Sequence, residues 1–271
     1  MAPKLTWTKA ANVHLDPGFN ATVNGAVYAQ PLYWVPPGGG AASIIVATEN
    51  NEVYALNAET GAQIWETSLG TPVPLSALPC GNIDPMGVTG TPTIDRAAGI
   101  VYLEAFVQTS TSGPRHMVFG LSLATGQVAP GWPVDVENGL AALGEGFNNA
   151  PQGQRSALTL ANGKLYVPYA GHYGDCGTYY GMVVGLDLSP PAVFGAWSTQ
   201  VGGGGSWGQS GVAFDGGSCS SPPVTASARH PHRAAAKRCS ARRRRSATCG
   251  PTSRPRFPPT SLASWCSSSP R

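Results

Sequence analysis

Val53-Tyr54-Ala55-Leu56-Asn57-Ala58-Glu59-Thr60-Gly61-Ala62-Gln63-Ile64-Trp65 decides the architecture of this chain, because it recurs. Val118-Phe119-Gly120-Leu121 begins 65 residues later and runs through Ala124-Thr125-Gly126 to Trp132. Val183-Val184-Gly185-Leu186-Asp187-Leu188 begins 65 residues after that and leads to Trp197. A fixed period means several copies of one supersecondary unit, each needing its neighbours to cover its apolar face.

Each copy extends beyond the quoted stretch. Copy one comprises Ala29 to Trp34, Ser43 to Thr48, Val53 to Asn57 and Ala62 to Thr67. Copy two comprises Thr91 to Asp95, Ile100 to Leu103, Met117 to Leu123 and Trp132 to Val136. Copy three comprises Ser156 to Leu160, Lys164 to Val167, Met182 to Leu188 and Val193 to Ser198. All are short runs rich in Val, Ile, Tyr and Trp between Gly, Asn and Asp, which predicts strands joined by tight turns. Glu59-Thr60-Gly61, Ala98-Gly99 and Ala161-Asn162-Gly163 supply residues that tolerate positive φ. No stretch has helical periodicity long enough to predict a helix. Four antiparallel strands per unit, stacked around an axis, make a β-propeller blade. A β-sandwich also spaces its strands regularly, but nothing obliges those strands to repeat in sets of four.

The stretch from Tyr54 to Trp65 resembles the tryptophan-docking motif of quinoprotein-like (pyrroloquinoline-quinone-type, PQQ-type) propeller repeats. In that family an Ala, a Gly and a Trp lock each blade to the next. Ala55, Gly61 and Trp65 match in copy one, and Gly120, Gly126 and Trp132 in copy two, with Gly in place of Ala. Gly185 and Trp197 remain in copy three, where Ser189-Pro190-Pro191 replaces the Thr-Gly turn. A large indole packing on a small residue, with Gly at the turn before the outer strand, is the physical content of the motif. The resemblance covers residues 26–216, after an N-terminal segment 1–25. It implies a fold, an all-β β-propeller, far more strongly than a chemistry.

Charge divides the chain. Residues 1–216 carry all 14 acidic residues and 6 basic ones, a balance of −8; residues 217–271 carry 11 basic residues and no acid. This Ser/Pro/Arg-rich tail, with Arg242-Arg243-Arg244-Arg245, reads as a disordered basic arm or as a nucleic-acid-binding one. A third reading is out-of-frame translation. Gly211-Val212-Ala213-Phe214-Asp215-Gly216-Gly217 starts a fourth copy with no second strand after it. GC-rich codons for Ser218 to Ala226, read from the third base, yield Leu-Leu-Val-Ala-Thr-Gly-Asn-Gly, an echo of Ile44 to Asn51. The expectation is a truncated, frameshifted propeller of about three blades, with an incomplete ring that is poorly stable or needs a partner.

Cys80 and Cys176 are the cysteines of the repeat region; Cys219, Cys239, Cys249 and Cys266 lie in the tail. No Cys-x-x-Cys or Cys/His spacing suggests zinc. Two such cysteines fit free thiols or one disulfide, and the resemblance, whose members are usually exported, favours the disulfide. It also implies a periplasmic or secreted location, although Met1-Ala2-Pro3-Lys4 begins no hydrophobic signal segment and no apolar run is long enough for a membrane span.

In a four-stranded meander the loops after strands two and four leave the same face. The long insertions 70–88, 107–116, 138–154 and 170–181 all fall there, and long loops on a rigid scaffold are where binding resides. The polar candidates are Asn82, Asp84, Glu145, Asn148, Asn149, Arg155, His172 and Asp175. Asp84 or Asp175 could act as a general base, Glu145 and Asn148 as oxygen ligands for calcium, and His172 as a proton shuttle. The competing reading is that these residues shape Gly-rich loops. Quinone-dependent dehydrogenases of the resembled superfamily carry an adjacent Cys-Cys pair over the cofactor, and none is present here. The resemblance therefore implies a non-catalytic, exported module binding a protein or small ligand, with no metal and no cofactor. The alternative is a fragment of a PQQ-dependent dehydrogenase using PQQ and calcium.

Overall fold

The computed structural model describes residues 6–214 and 219–220. Three four-stranded antiparallel sheets follow one another along the chain, each with its strands in sequence order. The first contains β1 (Leu32–Trp34), β2 (Ser43–Ala47), β3 (Glu52–Asn57) and β4 (Gln63–Ser68). The second contains β5 (Thr93–Asp95), β6 (Ile100–Thr109), β7 (Gly113–Ser122) and β8 (Val134–Asp135). A two-residue strand, β9 (Gln152–Gly153), precedes the third sheet and pairs with one of its strands. That sheet contains β10 (Thr159–Ala161), β11 (Lys164–Gly171), β12 (Tyr180–Leu188) and β13 (Pro191–Gly202). The chain is thus an all-β propeller segment of three blades in which the ring is not closed.

Sheets stacked face to face bury both sides of their middle strands, so β3, β6 and β12 read as nearly continuous buried runs. Val53, Ala55, Trp65, Val101, Leu103 and Leu121 share one core between blades one and two. Trp132, Leu140, Leu165, Val167, Val184 and Leu186 share another between blades two and three. Fully burying each such aliphatic side chain contributes about 1.5–3 kcal/mol.

Trp65 shows how a blade is fastened. It lies opposite Ala55 within its own sheet. Its indole Nε1–H donates to the Leu123 carbonyl of the next blade at 3.0 Å. A Cβ on Gly126 would stand 2.6 Å from its ring, and Gly126 has φ +74°. The glycine is therefore required both for the turn and for the contact. Trp132 packs on Gly120, where a Cβ would come within 3.0 Å of the indole. Trp197 departs from the expected pattern. It pairs with Val183, while Gly185 faces Gly195. It packs in a cluster with Tyr166, Val212, Phe194 and Phe214. Blade three keeps the register of blade one, with Leu186–Val193 and Gly185–Gly195 repeating Leu56–Gln63 and Ala55–Trp65, so Gly195 holds the position of Trp65 and Trp197 lies two residues beyond it.

The N-terminal segment is not separate from blade one. The slot on Gly61 that corresponds to the Trp65 seat on Gly126 is filled by the backbone of Asn20, 2.6 Å from where a Cβ would lie. Asn20 N–H donates to the Thr60 carbonyl at 2.9 Å, and Asn24 N–H to the Tyr54 hydroxyl at 3.2 Å. Two short helices also depart from the sequence expectation: α1 (Trp7–Ala10) and α2 (Val136–Ala141). Asp135 caps α2 by accepting from Asn138 N–H at 3.0 Å, and Val136 and Leu140 are buried. Six residues are too few to show a 3.6-residue period.

After blade three, β14 (Ala213–Phe214) pairs antiparallel with β15 (Cys219–Ser220). The sequence reading expected no second strand there; a backbone ladder of two residues needs no particular side chains. The rest of the basic tail, with its disordered-arm, nucleic-acid and out-of-frame readings, lies outside the described residues. Among the described residues no helix is long and apolar enough to cross a membrane.

Candidate functional site

The insertions meet on one face, as their positions after second and fourth strands require. Residues 70–88 fold back on themselves through paired Val73 and Met86, and Pro72 pairs with Val107 of blade two. Segment 107–116 is not a loop: β6 and β7 continue as a ladder to the Thr109–Gly113 pair, leaving residues 110–112 as the turn. Within 138–154, Gln152 and Gly153 pair with Gly171 and Ala170 of β11. Cys80 and Cys176 form a disulfide with Cα atoms 5.9 Å apart and a sequence separation of 96, joining blade one's exit loop to blade three.

A cleft opens beside this bridge, lined by Asn82, Met86, Arg155, His172, Tyr173 and Trp207 among others. The structure therefore brings Asn82, Arg155 and His172 together. It assigns Asp84, Asn148 and Asp175 to loop shaping. The Asp84 carboxylate accepts from Leu75 N–H at 3.0 Å. Asn148 Nδ2 lies 3.5 Å from the Thr178 carbonyl. Asp175, at φ +52°, accepts from the Tyr179 hydroxyl at 2.5 Å. Burial, reinforced by Asp175, pushes the Tyr179 phenol up. Glu145 is exposed and lines no part of the cleft. No group of three acidic, His or Cys residues gathers around Glu145 and Asn148 or elsewhere among the described residues.

His172 differs from a shuttle. It is 3% exposed, and its Nε2 lies 3.0 Å from the Ala150 carbonyl. Burial, with His116 nearby, lowers its pKa to about 4. A neutral ring donating from Nε2 satisfies that contact and leaves Nδ1 as an acceptor beside Gly153, whose Cβ would stand 3.0 Å away.

Sequence reasoning missed the most buried polar groups of this face. Glu104 on β6 and His116 on β7 are each 1% exposed, with Oε1 and Nδ1 2.6 Å apart. His116 Nε2 lies 2.9 Å from the Gln152 carbonyl, so the imidazole bridges blade two to β9. Its ring stacks on Phe106 at 4.0 Å and meets Tyr169 edge-on at 5.2 Å. Burial raises the Glu104 carboxyl pKa, and His116 opposes the shift. Asn149 completes the junction, accepting from His116 N–H at 3.1 Å and donating to Glu137 at 2.7 Å. Glu49, at the β2–β3 turn, accepts from Gly87 N–H at 2.7 Å. Burial pushes its pKa up to about 7, with the Gly87 bond opposing. The available signal was a charged residue inside a long apolar run, as in Ile100-Val101-Tyr102-Leu103-Glu104-Ala105-Phe106.

The structure is similar to parts of PQQ-type propeller proteins. The quinohemoprotein alcohol dehydrogenase ADHIIG from Pseudomonas putida HK5 matches at 17% identity and TM-score 0.43, over 67% of this chain and 22% of that one. The quinohemoprotein alcohol dehydrogenase from Comamonas testosteroni matches at 19% identity and TM-score 0.42, over 64% and 21%. BamB from Moraxella catarrhalis matches at 17% identity and TM-score 0.35, over 57% and 37%. The chain thus spans about a fifth of the length of these dehydrogenases and just over a third of BamB. No family model and no curated protein sequence matches it.

Proposed function

We propose that this chain is a non-catalytic binding module, an exported propeller segment whose long-loop face takes a protein or small ligand. The observation that carries this reading is the Cys80–Cys176 bridge, which ties loops of blades one and three around the Asn82, Arg155, His172 and Tyr173 cleft. Pre-ordering a rim in this way lowers the entropy lost on binding. A covalent tie of this kind persists in an oxidising compartment, which supports export.

The residues present do not fit a bound quinone with calcium. The two cysteines are spent on a long-range bridge rather than an adjacent pair. Glu104 is engaged by His116. His172 is neutral at physiological pH and held by Ala150. Reconstitution with pyrroloquinoline quinone and calcium is therefore expected to give no dye-linked alcohol or sugar oxidation, and quinone-dependent turnover would overturn the reading. Binding itself is tested by comparing captured partners for the wild type, Arg155→Glu on the cleft and Glu59→Ala on the opposite face. A partner lost with the first variant and kept with the second supports the assignment; the reverse pattern refutes it.

A further inference from the structure

Next to the cleft, whose lining includes Met86 and Arg155, buried oxygen atoms crowd around Gly87, and several of them make no well-formed hydrogen bond. Glu49 uses Oε2 to accept from Gly87 N–H, and its Oε1 is buried and unpartnered. The Thr89 hydroxyl lies beside the Glu49 carboxyl. Its oxygen too is buried and has no hydrogen bond of proper geometry. Asn51 donates from Nδ2 to the Phe106 carbonyl at 2.9 Å. That bond fixes its amide orientation, so flipping the side chain cannot rescue Oδ1, which is buried and unpartnered. A Cβ on Gly87 would stand 2.5 Å from Asn51 Oδ1 and 2.4 Å from the Glu49 main-chain oxygen. Only glycine leaves that arrangement open. Glu49, Asn51 and Thr89 are at most 3% exposed.

Thr89 can offer only one proton to this group, and buried oxygens left short of well-formed hydrogen bonds are costly unless something positive stands among them. Oxygen-only ligands select a hard cation. Of the other charges acting on Glu49, Glu104 is met by His116 and Arg155 is exposed to solvent, so the set holds one uncompensated buried carboxylate; a monovalent ion neutralises it, whereas a divalent one leaves an excess charge in a dry environment. We propose that Glu49 Oε1, the Glu49 main-chain oxygen, Asn51 Oδ1 and Thr89 Oγ1 bind a sodium ion at the junction of blades one and two. The ion would join the β2–β3 turn to the segment leading into blade two, and so stabilise the junction rather than act in chemistry.

The test is thermal unfolding of the full chain in sodium chloride and in choline chloride at equal ionic strength, with a calcium chloride arm. A site at tenfold saturation raises the midpoint by about 3–6 °C in sodium. Glu49→Gln is expected to abolish the sodium increment. Thr89→Val, which keeps the shape and removes only the hydroxyl, is expected to shrink it. Sodium NMR linewidths, broadened by the wild type and not by Glu49→Gln, give a readout that does not depend on stability. Equal midpoints in the sodium and choline salts overturn the proposal. A calcium increment larger than the sodium one overturns the charge assignment.

Discussion

The two faces of this propeller segment are built on different principles. On the turn face the chemistry repeats: Gly61 and Gly126 have φ +76° and +74°, and Gly99 and Gly163 have φ +67° and +68°. Each turn is solved locally and again in the next copy. On the loop face nothing repeats. Cys80 meets Cys176, His116 meets Gln152, and Glu49 meets Gly87, and each of these contacts occurs once. The repeat makes a scaffold, and the unrepeated insertions give it an individual surface.

The comparison is sharpest at the tryptophans. Trp65→Ala, which empties a buried seat and removes the bond to Leu123, is expected to cost about 3–5 kcal/mol. Trp197→Ala, at a half-buried position two residues past the one equivalent to Trp65, should cost less than half of that. Denaturant titration of both variants checks the difference, and equal losses would mean that the third copy is fastened like the first.

Reducing the Cys80–Cys176 bridge, or replacing either cysteine by Ser, is expected to lower stability by about 2–5 kcal/mol because it closes a loop of 96 residues. Hydrogen exchange should show protection lost first in 70–88 and 170–181, with the turn face retaining its own. Uniform loss would show that the faces are not separable.

His172 supplies a pH test confined to the loop face. Its folded pKa of about 4 lies below the ordinary 6.5. Between those values the unfolded chain binds the proton and the folded chain does not. Stability from this group is therefore full above about pH 6.5 and lost as pH falls toward 4, by about 3 kcal/mol in total. His172→Gln should flatten that part of the profile relative to wild type, as measured by denaturation from pH 4 to pH 8.

The smallest effects separate two glycines of the same backbone type. Gly163→Ala meets no atom within 4 Å and should cost about 1 kcal/mol for its positive φ. Gly126→Ala drives a methyl into Trp65 and should cost about 1–3 kcal/mol more. Equal costs would break the account of how blade one grips blade two.

Much of the scaffold is legible in particular residues. The runs Ser43 to Thr48, Val53 to Asn57 and Lys164 to Val167 became β2, β3 and β11 because short apolar runs bounded by Gly and Asn carry their own turn chemistry. The ends were less legible. Gln108, Thr109 and Arg115 read as loop, yet continue a ladder, because the facing insertion covers them and supplies a bond from Gln108 N–H to the Thr71 carbonyl at 2.8 Å. Of the site, the choice of face and the Asn82, Arg155 and His172 grouping follow from loop position. Glu104 and His116 did not, since strand pattern treats a polar residue in an apolar run as noise until its partner is known.

The sequence by itself determined the period, the turn glycines and therefore the three meandering blades, because these depend on residues close together in the chain. Only the tertiary structure decided that Cys80 reaches Cys176, that His116 spans Glu104 and Gln152, and that Trp197 packs with Tyr166 and Val212 while Gly195 faces Gly185. Those contacts depend on how blades rotate and pack against one another. A repeat states that blades must pack, and leaves to the packing itself which distant side chains meet.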